Sequence, residues 1–551
     1  METDNGTTTT DDPTDAGRSS SSRPVGLTLL SGAIAAATVL PLYWLFDTAF
    51  RASKPVQLAD PTTWLGVLDP LSLLLEPASI RVLRNSVVLV VCVTAASILI
   101  SVPLAYLTVR TDLPFRRFFT IAVMLPLVIP SYIGAFAFVS VFSPKGQVQS
   151  LLAPLGVEEL PGIYGLEGTV LVLTLYTYPY VYITSRAALK TLDTSLVDAA
   201  RTLRHSRWEA FKRVVVPQIR PAVAAGSLLT ALYTLSDFGT PQIMRYHVFT
   251  RIIYTRWADS AEFVSVLSLQ LLAVTVLILA VESRVRGDDT LHSSRGGQAA
   301  SRVRLGRWRW PVLAFPLAVV GLALVVPIGT LGMWLLRGSA TGSGVPFELE
   351  YVANSIDVSL AAALIATLAG IPVAYLSARY DTRLGDLFER VTYVGYAVPG
   401  VVMGLALVFL GINLFPDLYL TLPLLIFAYV VRFLPQSVGS TRASFLQVNP
   451  ALPEAARTLG RSSVGAFRAV TLPLAAPGLL GGAALVFLTT MKELPATLML
   501  QPHGYKTLVT YIWQMQEDGY YGDAAVPALV LVAISALSIF VIISQEGYDV
   551  K

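Results

Sequence analysis

PLAYLTVRTD at residues 103–112 returns as PVAYLSARYD at residues 372–381, an offset of 269 positions. The same offset joins Asn85-Ser86 to Asn354-Ser355 and Pro130 to Pro399. Further along the offset falls to 256, where DAARTLRHSRWEAFKRVVVPQIRP (198–221) aligns with EAARTLGRSSVGAFRAVTLPLAAP (454–477). The difference of 13 is taken up by a longer loop in the first copy, around residues 143–167. Two blocks that match in order, with one length change between them, make the chain a duplication. An internal repeat fixes the architecture before any single motif does.

The repeated unit is built for a bilayer. Of 551 residues, 54% are hydrophobic and only 14% charged, where a soluble domain carries about 25% charged residues. Too few charges remain to coat several globular surfaces. Apolar runs lie near 25–50, 85–108, 117–142, 168–186, 221–244 and 262–282. A second set lies near 311–336, 354–378, 391–412, 420–436, 475–498 and 524–544. Each approaches the roughly 20 residues a helix needs to cross hydrocarbon. The predicted fold class is an all-α polytopic membrane protein with about 12 transmembrane helices in two parallel six-span repeats. Six is even, so both halves enter the membrane in one orientation, and a pathway between them follows the membrane normal. The predicted organisation is a disordered cytoplasmic tail (1–24), a first membrane domain (25–283), an Arg-rich linker (284–310) and a second membrane domain (311–545). Arg284, Arg286, Arg295, Arg302, Arg304, Arg307 and Arg309 crowd that linker, which places it and both termini in the cytoplasm by the positive-inside rule.

Composition also excludes chemistry. A single cysteine, Cys92, sits in an apolar run, and the four histidines are scattered. A disulfide framework and a Cys-based metal site are therefore excluded. The net charge of +4 reads as positive cytoplasmic loops beside membrane lipid, with no nucleic-acid partner. There is no G-x-x-x-x-G-K-[ST] phosphate loop in the chain, so it lacks that route to ATP. No cofactor is expected, and no enzyme activity.

Two groups of residues carry the functional reading. The first is the repeated segment after the fourth span of each half. Its second copy holds Glu454, Ala455, Ala456, Gly460, Phe467 and Pro473; its first holds Asp198, Ala199, Ala200, Phe211 and Pro217, with Arg204 in place of the glycine. Asn449-Pro450 and Leu472-Pro473 bracket one copy, Thr194-Ser195 and Val216-Pro217 the other. Caps and breakers at both ends predict a short amphipathic helical pair, with Phe211 and Phe467 shaped to fill a partner's pocket. The plain alternative is a surface helix lying on the membrane. The second group is intramembrane charge, which is costly and usually functional. Asp237 in SDFGTPQIMR matches Glu493 in KELPATLML, beside Lys492. Gly239 with Pro241, and Pro495, are expected to break the helices there and free carbonyls toward a pathway. Two facing carboxylates suit a hard cation, which prefers oxygen ligands; the alternative is that Glu493 pairs with Lys492. Tyr176, Tyr178, Tyr180 and Tyr182 read as pathway or interfacial-belt residues, and Asn85 and Asn354 as bonds across helices.

The pattern Glu454-Ala455-Ala456, then Gly460, then Leu472-Pro473 resembles the coupling loop of permeases of binding-protein-dependent ABC importers. KELPATL, followed by Pro502-His503-Gly504 and an Asp/Tyr-rich loop, with SDFGTP in the first half, resembles the fused two-domain permeases of ferric-iron importers. The resemblance implies a prokaryotic cell-membrane protein working by alternating access. It also implies two copies of a separate ABC ATPase and an extracytoplasmic solute-binding protein. Related permeases import thiamine, phosphonate, polyamine, sulfate or molybdate, and the coupling pattern does not separate them. An ion-coupled secondary carrier and an intramembrane enzyme are the competing classes.

Overall fold

A computed structural model describes residues 24–51, 73–142, 162–192, 206–287, 303–337, 344–380 and 382–545, with isolated positions between them. Residues 1–23 of the proposed tail and most of the linker lie outside the described residues.

The first half runs through α1 (Val25–Arg51), α2 (Pro77–Arg110), α3 (Arg116–Ala122), α4 (Ser131–Phe142), α5 (Leu166–Thr191) and α6 (Val216–Ser236). It continues with the short α7 (Gly239–Ile243) and α8 (Phe249–Arg256) and closes with α9 (Ala261–Gly287). The second half runs through α10 (Arg309–Val320), α11 (Val326–Arg337), α12 (Leu349–Arg379), α13 (Arg383–Ala397), α14 (Gly400–Leu414) and α15 (Leu422–Gln447). It ends with α16 (Ala451–Thr458), α17 (Leu472–Met491), α18 (Pro495–Leu500), α19 (Leu508–Glu517) and α20 (Ala525–Gln545). Among the described residues eight helices are long and apolar enough to span a bilayer, and two bent pairs raise the number to ten. The remaining two expected segments are the helices α5 and α20, so every predicted apolar run is helical.

Two expectations change. The third span of each half was predicted as one continuous helix near 117–142 and 391–412. Each is instead broken, Arg116–Val128 against α4 by 96° and α13 against α14 by 103°. The cause is the matched proline pair. The residue before a proline is driven out of the helical region, and Ile129 (ψ 122°) and Val398 (ψ 125°) are both extended before Pro130 and Pro399. Three of the four tyrosines of α5 form neither a belt nor an open lining, and Tyr180 is partly exposed. Tyr176, Tyr178 and Tyr182 are buried in the core, because α5 is enclosed by α2 and α6; Tyr182 Oη lies 3.0 Å from Thr108 Oγ1.

The two cores are exchanged at their edges. One contains α2 and α4–α6 residues together with Leu331 and Trp334 of α11 and Leu531 of α20. The other contains α12–α15 and α17 residues together with Leu42 and Leu45 of α1 and Leu267 of α9. The first and last helices of each half therefore finish the core of the other half. Gly32 of α1 marks the contact, since a Cβ there would lie 3.0 Å from Phe388 Cζ on α13.

Matched glycines let the fifth span of each half lie against the fourth. A Cβ on Gly226 would fall 2.7 Å from Val181 Cα and 2.9 Å from Tyr180 O, whereas one on Gly482 would fall 3.1 Å from Ser437 Cα. Overpacking costs about 1–3 kcal/mol. Gly226→Val is expected to lower the thermal unfolding midpoint in detergent more than Gly482→Val, read by loss of tryptophan fluorescence.

Candidate functional site

The repeated PxAYLxxR stretch ends the second span of each half, and its side chains hold both ends of the following repeated segment. Arg110 Nη2 donates to Leu192 O at 3.1 Å, and its counterpart Arg379 Nη2 donates to Val448 O at 2.7 Å. Each guanidinium satisfies a carbonyl at the C-terminal end of the fourth span, where helix carbonyls lack intrahelical partners. The tyrosines grip the other end. Tyr106 meets Phe211 edge-on at 5.2 Å, and Tyr375 meets Phe467 at 5.0 Å. Phe211 and Phe467 thus pack on this chain's own spans, which corrects the expectation of rings offered to a partner.

What the segments do expose is largely other apolar side chains. Glu454, Ala455 and Gly460 are exposed and Ala456 is half-buried on α16. Leu459 and its match Leu203 are 86% and 74% exposed, and Trp208 and its match Val464 are 62% and 60% exposed. The shared "RTL" of the two copies was the sequence signal for these leucines. Ala200 is buried; Asp198 and Ala199 lie outside the described residues.

Pro217 and Pro473 do not end the segment, as their helix-breaking character suggested. Each is preceded by one wide turn of π-helix, Phe211–Val215 and Phe467–Thr471. A proline supplies no N–H and crowds the carbonyl four residues back, and the widened turn absorbs both defects. The helix then continues without interruption from Ser463 to Met491, 29 residues, or about 43 Å at 1.5 Å per residue. Trp208–Ser236 repeats this in the first half.

At the far ends of these helices stand the two carboxylates. α6 stops at Ser236 and α17 at Met491, and the short helices α7 and α18 follow. Each acid caps the helix after it. Asp237 Oδ2 accepts from Thr240 N at 3.0 Å, and Glu493 Oε1 accepts from Ala496 N at 3.0 Å. The interruption at Gly239 and Pro495 is present, but the freed carbonyls of Asp237 and Glu493 accept from Thr250 Oγ1 and Thr497 Oγ1 within the same half. Glu493 forms its ion pair with Arg432 of α15, not with the adjacent Lys492. Gly400 makes the room, because a Cβ there would lie 2.7 Å from Arg432 Nη1 and 2.9 Å from Pro495 Cγ. Lys492 reaches into the other half and donates from Nζ to Leu127 O at 3.2 Å, on the broken third span. Asp237 is bound by Ser131 Oγ, the residue after the matched Pro130. The halves touch here, with a Cβ on Gly239 falling 3.5 Å from Leu494 Cδ2 and Phe238 lying 5.3 Å from Trp513.

The loops beyond are clasped by the second spans again. Asn85 Nδ2 donates to His247 O and Asn354 Nδ2 to Lys506 O, both at 3.0 Å. The next residues repeat the pattern, with Ser86 Oγ accepting from Phe249 N and Ser355 Oγ from Leu508 N. The imidazole of His247 is pushed below its ordinary range by burial first, then by Arg251, Arg256 and Arg81.

The clamped segment and the acid of each half fall within one family domain that occurs twice in the chain. The family described as "Binding-protein-dependent transport system inner membrane component" covers residues 76–286 and again 366–548. The chain belongs to this family. It is a permease subunit, a transporter rather than an enzyme, in a family that works with ATPase and substrate-binding partners. The permease is 32% identical to the Fe(3+)-transport system permease protein FbpB 2 of Haemophilus influenzae, over 87% of this chain and 93% of that protein. It is 25% identical to the ferric transport system permease protein FbpB of Actinobacillus pleuropneumoniae, over 84% and 70%. A probable molybdenum ABC transporter permease protein of Haloferax volcanii is 33% identical over 45% of this chain and 94% of its own length.

Arg204 and Gly460 occupy the same left-handed turn, with φ of 63° and 91°. A side chain in that region costs about 1–2 kcal/mol. Arg204→Gly is expected to stabilise the permease by about 1 kcal/mol and Gly460→Arg to destabilise it by a similar amount, both read by thermal unfolding in detergent.

Proposed function

We propose that this permease imports ferric iron across a prokaryotic cell membrane by alternating access between its two halves. Two copies of a separate ABC ATPase drive it, and an extracytoplasmic solute-binding protein loads it. Both termini and the repeated segments face the cytoplasm, in keeping with the arginines of the linker. The observation that carries this reading is the continuous helix from Ser463 to Met491 and its match from Trp208 to Ser236. A docking segment that runs into such a rod at Trp208 or Ser463 can pass the closure of an ATPase toward the carboxylate end. The docking surface in each half is the exposed Leu203 with Trp208, or Leu459 with Val464 and Glu454. Burying apolar side chains such as Leu203, Leu459 and Val464 against a partner is worth about 1.5–3 kcal/mol each.

The cargo reading draws on the two ferric relatives, which match along most of this chain. An oxyanion is the second reading. It is favoured by the molybdenum relative and by the two cationic groups, Arg432 and Lys492, beside the acids.

The test is ATP hydrolysis by the permease and its ATPase in proteoliposomes, with binding proteins loaded with ferric iron or with molybdate. Iron-loaded protein alone is expected to stimulate hydrolysis. Glu454→Lys or Leu459→Asp is expected to lower that stimulated rate at least about tenfold, equivalent to about 1.4 kcal/mol. Stimulation by molybdate-loaded protein instead would replace the cargo and keep the machine. Hydrolysis indifferent to both variants would remove the coupling role.

A further inference from the structure

The two carboxylates are equivalent in sequence and unlike in surroundings. Glu493 is buried and tied to Arg432. Asp237 is partly exposed, and among the described residues it forms no ion pair. Its partners are a hydroxyl, Ser131 Oγ, and a backbone N–H, that of Thr240. More oxygens gather on the same side. Tyr233 Oη lies 3.4 Å from Ser131 Oγ. Thr240 Oγ1 is fully buried beside the Asp237 carboxylate. Tyr132 is 5% exposed, and its Oη has no hydrogen-bond partner, although it lies within electrostatic reach of Tyr233 and Glu493. A buried hydroxyl without a partner costs about 1–3 kcal/mol, and the unpartnered Tyr132 Oη, within reach of both Tyr233 and Glu493, points to something that comes and goes.

The second half has lost this set. At the repeat offsets, Ser131 corresponds to Gly400, Tyr132 to Val401 and Thr240 to Ala496. Only Thr489, the match of Tyr233, keeps an oxygen, and it is spent on Gln436 Oε1 and Leu485 O. Where the first half collects oxygens, the second supplies a guanidinium.

We propose that Asp237, with Ser131, Thr240, Tyr132 and Tyr233, forms a transit site for a hard trivalent cation, present in the first half only, while Glu493 is structural. That the cation is the ferric ion rests on the cargo reading above. The donor set is all oxygen, as a hard cation requires. Among the described residues no group of three or more His, Cys, Asp or Glu is arranged to hold a metal. One carboxylate with hydroxyls therefore makes a loose site, and a passing ion must be able to leave. Lys492 and Arg432 add repulsion from the facing half, which favours release.

Terbium(III), a hard trivalent ion whose emission is sensitised by nearby tyrosine, is the probe. The detergent-purified full chain is titrated with it, and iron uptake from the iron-loaded binding protein is measured in proteoliposomes. Asp237→Asn keeps a capping oxygen for Thr240 N–H and removes the charge. It is expected to weaken Tb(III) binding and to slow iron uptake, each at least about tenfold (about 1.4 kcal/mol). Tyr132→Phe and Thr240→Val, which leave charge and cap intact, are each expected to weaken Tb(III) binding about threefold, and they carry the test if Asp237→Asn does not fold. Unchanged Tb(III) titrations overturn the site. Iron uptake by wild type that Asp237→Asn leaves unaltered overturns the site and spares the cargo reading. Tb(III) binding lost in Asp237→Asn, with no iron uptake by wild type, overturns the ferric cargo and leaves a hard-cation site.

Discussion

The hydrogen bond from a span-ending arginine to the last carbonyls of a different span is the joint on which the rest depends. Arg110 and Arg379 each turn one end of the second span into a fixed post for the segment that follows the fourth. Without it, a polar segment between two bilayer helices has no defined height or angle. The ring contacts Tyr106–Phe211 and Tyr375–Phe467 close the opposite end. At the far side the same two helices hold the loops after the carboxylates through Asn85-Ser86 and Asn354-Ser355. One helix in each half therefore sets the position of both ends of the fifth span.

This explains why PLAYLTVRTD and PVAYLSARYD were such clear repeats. Their tyrosine and arginine are not interchangeable with other apolar or basic residues, because each has an assigned partner. The number of spans, their duplication and the location of the acids were legible in the sequence, since hydrophobic length and residue offsets encode them directly. The bends at Pro130 and Pro399 were missed although the prolines were matched, because a run of apolar residues looks the same straight or broken. The true partner of Glu493 was also hidden. Arg432 lies 61 positions before it, inside an apolar run, and only the missing side chain of Gly400 hints at the space it fills. The inward direction of Phe211 and Phe467 was unreadable for a related reason, since an aromatic ring suits a partner's pocket and its own core equally.

The duplication has been put to unequal use. Backbone features are kept in both copies: the wide turns before Pro217 and Pro473, the left-handed turn at Arg204 and Gly460, and the capped short helices at α7 and α18. Side-chain chemistry near the carboxylates is not. Geometry that transmits motion must match on both sides of a two-fold-like machine, whereas a group that meets a single ion at a time needs only one copy. Retained backbone and diverged chemistry are what that division of labour leaves behind.

The exchanged edge helices bear on how such a chain came to exist. A lone half would expose the apolar face that α1 or α11 of its companion now covers, so neither half is a complete folding unit by itself. Two identical copies swapping those arms would satisfy each other, as domain-swapped dimers do. Gene fusion of such a twin changes no contact in the membrane and removes the need for two chains to meet. From then on each copy is free to mutate without imposing the change on its mirror.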